Sequence, residues 1–308
     1  MQELLASISQ VLAPIQGRMS VTIRDYKSGE EIGILSDEPL PMASVCKTPI
    51  LIAALRAVDS GHLDLEERVE LGPKQRTFGS GLFNHFRDGL QPTIYDCLLM
   101  MIVVSDNAAT DIILRKLPPE AVTLCMTELG FPEIKVNRTI RNLIGDILAA
   151  LDPRFEGVEF DAIESLEKDI PELDVLEHDL IKGREAVNSA CEGKDIATTR
   201  SLAKLMCKLC AGELATPIAT EAMIKILNTQ QLNGRLPRDL PAFTKFPHKT
   251  GTLGSGAVVN DVGMLYLNDE PVAAIAALSR DVRNPIHETN TALAQVGQAV
   301  HEYYRSKQ

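Results

Sequence analysis

The chain has 308 residues, 45% of them hydrophobic, and carries 31 Lys and Arg against 42 Asp and Glu for a formal net charge of −11. That length gives ample material for a core and fits one large domain or two interleaved ones. The acidic balance argues against general binding to nucleic acid or anionic membrane, which needs basic surface, and no apolar run approaches the length of a membrane span.

The opening MQELLASISQVLAPIQ reads as an amphipathic helix. It lacks the basic n-region and sustained apolar core of a signal peptide. A cytoplasmic chain is expected if Met1 is native, and a periplasmic or secreted one if a signal was trimmed. Two alternating segments follow, VTIRDY (21–26) and EIGIL (31–35), and the KSGE between them supplies the turn of an antiparallel hairpin. From Ser44 to about Gly212 the signals are helical: TPILIAALRAVDSG, TIYDCLLMMIVVS, NAATDIILRKL, AVTLCMTELG and TTRSLAKLMCKLCAG. Strand character returns in GAVVNDVGMLYL (256–267) and PVAAIAALSR (271–280), and HETNTALAQVGQAVHEYY (287–304) closes the chain as an amphipathic helix. Early and late strands can share one antiparallel sheet only if the helical block is an insertion. The expected architecture is therefore α+β, with residues 1–43 and 213–308 forming a sheet domain and residues 44–212 an all-helical domain.

Residues 151–187 stand apart, with 12 Asp or Glu against 4 Lys or Arg. Leucine and isoleucine at helical spacing in DAIESLEKDIPELDVLEHDLIKG mark an ordered acidic excursion. Six cysteines are scattered among apolar neighbours, which fits free thiols in a reducing compartment. Cys207 and Cys210 form a C-x-x-C with no second pair or nearby histidine, so core packing is favoured over zinc or redox chemistry.

An S-x-x-K pattern occurs three times, at Ser44–Lys47, Ser165–Lys168 and Ser201–Lys204, where chance alone predicts about one. Ser165 falls in the acidic segment, and Ser201 inside a helix whose start is signalled earlier, between Asp195 and Thr199. Ser44 differs because it sits where strand gives way to helix. There free N–H groups and the helix dipole favour developing negative charge. Lys47 lies one turn on, towards the same face, and can act as a base if burial lowers its pKa.

Two further motifs follow in order, Ser105-Asp106-Asn107 after CLLMMIVV and Lys249-Thr250-Gly251 in PHKTGTLGSG. The succession S-x-x-K, S-D-N, K-T-G resembles the class A β-lactamases and their penicillin-binding relatives. The flanking stretches GSGLFNHFRDGLQPTIYDCLLMMIVVSDNAATDIIL and KTGTLGSGAVVNDVGMLYL are similar to that family as well. The resemblance covers most of the chain outside residues 151–187.

It implies a β-lactamase-like fold, an antiparallel sheet flanked by helices with an inserted all-helical domain and the active site between them. It also implies Ser44 as acylated nucleophile, Lys47 as its proton partner, Ser105 as the group passing a proton to the leaving nitrogen, and Asn107 as a hydrogen-bond partner of the substrate amide. Lys249 and Thr250 would hold a substrate carboxylate, with Gly251 letting the strand come close to the substrate. The backbone N–H groups of Ser44 and Thr252 would form the oxyanion hole. Asp106 is expected to tie down loop backbone. Arg280, ending a late strand, is a second candidate for the carboxylate, beside the plainer reading of an exposed strand-end arginine.

The departure is at the water-activating glutamate. An ungapped count back from Thr198-Thr199 puts Asn188 at the family's loop asparagine and Arg184 at the base. A single gap would bring in Glu185, whose plainer reading is a solvated charge. The implied reaction is acyl transfer to water through a Ser44 ester, on a small carboxylate-bearing amide of which a β-lactam is the best-known candidate. No cofactor or metal is called for, and the oligomeric state is left open. The alternatives are a non-lactam amidase or esterase on the same scaffold, a cell-wall peptidase, and a catalytically inactive binding module.

Overall fold

The computed structural model describes residues 1–158 and 180–307. Helix α1 (Gln2–Leu12) buries Leu4, Ile8 and Leu12, a stripe one helical face supplies. Strands β1 (Arg18–Asp25) and β2 (Glu31–Ile34) pair antiparallel, with Val21 opposite Ile34 and Arg24 opposite Glu31. Asp25 closes their turn by accepting at Oδ1 from the N–H groups of Lys27 and Ser28 at 3.0 and 2.7 Å. The two-residue β3 (Leu40–Pro41) then leads into a 3-10 turn, Ala43–Cys46, and helix α2 (Lys47–Asp59).

Helices α3 (Ile94–Val103), α4 (Asn107–Lys116), α5 (Pro119–Glu128), α6 (Ile140–Leu151) and α7 (Leu180–Ala190) follow. After them come the short β4 (Ile196–Ala197), paired with β3, and helices α8 (Thr199–Cys210) and α9 (Pro217–Leu227). Thr93, Asp106, Thr139, Thr198 and Thr216 each cap a helix by accepting from the N–H three residues on. Such caps stabilise a helix by about 1 kcal/mol each. Strands β5 (His248–Leu253), β6 (Val258–Leu267) and β7 (Glu270–Arg280) and helix α10 (Ile286–Arg305) complete the chain.

The sheet order is β2-β1-β7-β6-β5. Strand β1 lies antiparallel to β7, with Arg18 opposite Arg280 and Asp25 opposite Ala273. Early and late strands thus share one sheet, and the helical block is an insertion. One face of the sheet packs Val21, Ile23, Leu265 and Ile275 against Leu4 and Ile8 of α1 and Leu293 and Val296 of α10. The other packs Val262, Met264, Ala274 and Ala276 against the helical body at Ile52, Leu98 and Leu205. With both faces covered, β6 is buried along its whole length, and its sequence reads as a near-continuous apolar run.

Several details differ from the sequence expectation. The K-T-G segment is itself a strand, β5, and Gly254–Gly256 forms a turn before β6 starts at Val258. Polar residues at successive positions hide the alternation, and two of them, Thr250 and Thr252, line the cavity described below. Helix α9 lies beyond residue 212 yet packs on α2 and α3, and α8 packs on β1, β6 and β7 of the sheet. Helices α6 and α9 are absent from the sequence reading, although Thr139 and Ile140, Leu143, Ile147 and Leu148 carry a cap and a helical period. Ser165–Lys168 lies outside the described residues, as does most of the acidic excursion. On α8, Ser201 Oγ donates to Thr198 O at 2.8 Å, within a buried first turn. Cys207 and Cys210 pack beside the core, and burial pushes their thiols up to about 12 and about 11, so both stay protonated and unreactive near neutral pH.

Candidate active site

Ser44 occupies the 3-10 turn between β3 and α2 and is half-buried. The backbone around it is held from several directions. Met42 N–H donates to Asp195 O at 2.8 Å, and Asn260 Nδ2 donates to Pro41 O and Met42 O at 2.8 and 3.0 Å. Ala43 sits at φ +50°, a left-handed conformation that costs a non-glycine residue free energy and that surrounding structure must impose. Gly251 of β5 presses against this turn. A Cβ there would stand 2.7 Å from Met42 O and 3.0 Å from the backbone nitrogens of Ser44 and Val45. The glycine therefore lets β5 approach the serine-bearing turn, and it also lines the cavity beside Ser44, where the sequence reading expects close approach to a substrate.

Lys47, at the start of α2, is 0% exposed. Its Nζ donates to Ser105 O at 2.7 Å, Asn107 Oδ1 at 2.8 Å and Ser105 Oγ at 3.1 Å, which uses all the donors an ammonium has. Lys249 of β5 is equally buried and donates to Ser105 Oγ at 3.1 Å and Thr250 O at 2.8 Å. Burial lowers Lys47 to about 8. Lys249 is held well below its ordinary value, first by burial and then by the Lys47 charge. Two basic groups that release a proton more readily than an ordinary lysine thus flank one serine hydroxyl, which can accept a proton from one neighbour and hand a proton on to another.

The S-D-N segment is shaped by its own backbone needs. Ser105 has φ +58°. Asp106 caps α4 through Ala109 N–H at 2.9 Å and also accepts from the N–H groups of Leu82 and Phe83 at 2.6 and 2.8 Å, so it ties down loop backbone as expected. Asn107 Nδ2 donates to Phe78 O at 3.0 Å while its Oδ1 takes Lys47, and Ser80 Oγ donates to Ser105 O at 2.8 Å.

Ser44, Ser105, Asn107, Thr250, Gly251 and Thr252 all line one cavity of about 470 Å³, a volume suited to a small-molecule ligand. Its apolar lining is Ile140, Leu143, Ile144 and Ile147 from α6, together with Phe78, Leu232 and Leu253. The described lining includes no carboxylate. Glu185 is exposed on α7 and is not part of that lining. Arg280 is likewise outside it, and its Nη2 donates to Asn188 O at 3.0 Å. A larger depression of about 1040 Å³ beside Arg138 and Asp146 lies away from Ser44. Of its cations, Arg138 and Lys194 are paired with carboxylates, and Arg141 donates to the backbone carbonyl of Arg76.

One cation escapes the sequence reading. Arg235 is 6% exposed. It donates through Nη1 to Gly251 O and Asn260 O at 2.8 and 2.6 Å, through Nη2 to Thr252 Oγ1, and through Nε to Asn290 Oδ1 at 3.0 Å. It therefore fixes β5 from behind and adds positive potential next to Thr250 and Thr252. Beside it, His248 is buried between Asp261 Oδ1 at 2.8 Å and Asn233 Oδ1 at 3.0 Å. Among the described residues, no cluster of His, Cys, Asp and Glu is suited to a metal.

Comparison with known proteins gives a consistent picture. The profile described as "Beta-lactamase enzyme family" matches residues 3–304. Among curated relatives, β-lactamase VEB-1 of Pseudomonas aeruginosa is 23% identical over 315 aligned positions, covering 99% of this chain and 91% of that protein. The β-lactamase regulatory protein BlaB of Streptomyces cacaoi is 33% identical over 125 residues, and the match spans 40% of this chain and 40% of that relative. Among solved structures, a β-lactamase from Sphaerobacter thermophilus superposes with TM-score 0.77 at 24% identity, covering 99% of this chain and 98% of the other. PBP-A superposes with TM-score 0.76 at 22% identity over 99% and 97%.

Proposed function

The chain belongs to the β-lactamase enzyme family and is a serine hydrolase of that type; from this premise we propose that it opens a small, carboxylate-bearing amide or ester through an acyl-enzyme on Ser44. The observation that carries the proposal is the pair of buried amines, Lys47 and Lys249, each 3.1 Å from Ser105 Oγ beside the cavity that Ser44 lines. Lys47, lowered to about 8, takes the Ser44 hydroxyl proton as the oxygen attacks the carbonyl. The tetrahedral oxyanion forms between the N–H groups of Ser44 and Thr252. Ser105 gives its proton to the leaving nitrogen or oxygen and is resupplied by Lys47, which carries the proton taken from Ser44 and donates to Ser105 Oγ at 3.1 Å. Thr250 and Thr252, backed by Lys249 and Arg235, receive the carboxylate.

Hydrolysis of the ester is the slow step in this proposal, because the described lining around Ser44 is hydroxyl, amide, glycine and hydrocarbon, with no carboxylate to deprotonate water. β-Lactams are the first candidates, and non-lactam esters or amides the alternative. A second reading is that the acyl-enzyme persists long enough for the protein to report acylating compounds rather than destroy them. It draws on the same lining and on the partial match to a protein named for β-lactamase regulation.

Intact-mass spectrometry after incubation with benzylpenicillin and a chromogenic cephalosporin tests both readings. An adduct on Ser44 with turnover below the enzyme median of about 10 s⁻¹ is expected. Faster turnover removes the stalled acyl-enzyme. Neither adduct nor turnover, with a panel of simple esters also inert, removes the hydrolase mechanism.

A further inference from the structure

Helix α6 places Ile140, Leu143, Ile144 and Ile147 on the cavity that contains Ser44. The spacing i, i+3, i+4, i+7 puts them on one face, whereas Arg141, Asn142 and Asp146 fall on the others. This wall is fixed in place. Asp111, buried on α4, accepts from the N–H groups of Ile140 and Arg141 at 2.7 and 3.0 Å. Thr139 Oγ1 accepts from Asn142 N–H at 3.1 Å. Arg138 Nε bonds Asp195 at 2.7 Å, and the Asp195 carbonyl holds Met42 N–H at 2.8 Å. The hydrocarbon face is therefore tied to the same backbone that positions Ser44.

The polar lining comes from Ser80, Ser105 and Asn107 together with Thr250 and Thr252 of β5, so a molecule bound beside Ser44 meets both a polar surface and the hydrocarbon face of α6. Leu232, 45% exposed at the same cavity, leaves more hydrocarbon for a ligand to cover. Resting on the proposed Ser44 acyl-enzyme, we infer that the acyl half of the substrate is an apolar chain or ring that lies along the α6 face. The carboxylate-bearing half points to β5. Selectivity for the acyl group then comes from desolvation against α6 and not from hydrogen bonds.

The test is a series of p-nitrophenyl esters, acetate, butyrate, hexanoate and octanoate, each rate divided by its spontaneous hydrolysis rate and each adduct located by mass. Each methylene that the wall buries should raise kcat/KM about three- to fourfold until the cavity is full. Ile144→Asn, and independently Leu232→Ala at its exposed position, should flatten that slope. If all four esters acylate Ser44 at the same normalised rate, the inference is wrong while the Ser44 mechanism stands. If none labels Ser44 but nitrophenolate is still released elsewhere on the protein, the mechanism falls and the inference with it.

Discussion

The polar side of the cavity is backed by three buried basic side chains, Lys47, Lys249 and Arg235, which commit their donors to named acceptors on Ser105, Asn107, Thr250, Gly251, Thr252, Asn260 and Asn290. On the α6 side, four aliphatic side chains line the same space without a charge among them. The first wall depends on directional bonds between groups taken out of water, so deleting one partner leaves another buried and unpaired. The second depends on area and volume, and similar hydrocarbons can substitute for one another at modest cost. Changes on the polar side should therefore be abrupt, and changes on the apolar side graded.

The sharpest way to break this contrast is at the serine itself. Ser44→Ala should abolish covalent labelling by penicillin or a fluorophosphonate, while Ser201→Ala, whose hydroxyl is bonded to Thr198 O, should leave it intact. Lys47→Ala should slow acylation by about 10²- to 10⁴-fold, the usual contribution of a general base. A variant of either residue that labels at the wild-type rate would move the chemistry elsewhere. Next in size is Gly251→Ala. Its new methyl would meet the backbone of Met42, Ser44 and Val45 at 2.7 to 3.0 Å, and backbone yields less readily than a side-chain end. A shift of about 1 Å in the nucleophile costs about 10²-fold in rate. Stopped-flow acylation at constant fold, checked by circular dichroism, would measure it.

This contrast also explains what the sequence made legible. The three ordered motifs single out Ser44, Lys47, Ser105, Asn107, Lys249 and Thr250, and the fold brings these residues together at one cavity. The hairpin and the late strands were legible from alternation and apolar runs. Strand β5 was not, since HKTGTL carries polar residues at successive positions, with Thr250 and Thr252 on the cavity and His248 bonded to Asp261. Arg235 was hidden for a different reason. NGRLPRD reads locally as a turn, and its partners Gly251, Asn260 and Asn290 lie 16, 25 and 55 residues away. The α6 wall carried a readable helical period, yet nothing in that period tells a core-facing isoleucine from one that faces a ligand.

The third prediction concerns pH. Protonated Lys47 cannot accept the Ser44 proton, so the acylation rate should fall about tenfold per unit below an inflection near 8 and level off above it. Stability should move the same way. An unfolded lysine titrates near 10.4, so between about 8 and that value the unfolded chain binds more protons and folding gains as pH rises. The cost of keeping Lys47 uncharged or poorly solvated is fully present below about 8 and gone above the unfolded value. Lys249, also depressed by burial and by the Lys47 charge, acts in the same direction. Urea melts of wild type and Lys47→Met across this range should converge at the alkaline end. Parallel curves would mean that Lys47 keeps its ordinary affinity for protons.

The smallest effect is expected at Glu185, the one carboxylate the sequence offered as a water-activating base. On α7 its side chain is exposed, and it takes no part in the lining around Ser44. A general base must come within about 3 Å of the proton it removes, or reach it through one water, and an exposed side chain has no reason to hold that position. The neighbours of Glu185 that do matter are apolar: Ala186 and Val187 face inward and pack with Leu143 and Ile147 of α6, so α7 supports the hydrocarbon wall and does not interrupt it. Glu185→Gln should therefore leave both the acylation rate and the lifetime of the acyl-enzyme within about twofold of wild type, as surface substitutions usually do. Val187→Ala, by contrast, should loosen α6 and cost roughly 1 to 2 kcal/mol. Decay of the benzylpenicillin adduct, followed by mass spectrometry in the two variants, separates the cases. If Glu185→Gln prolongs the adduct tenfold or more, α7 must deliver its carboxylate to the ester, and the apolar wall would open during turnover.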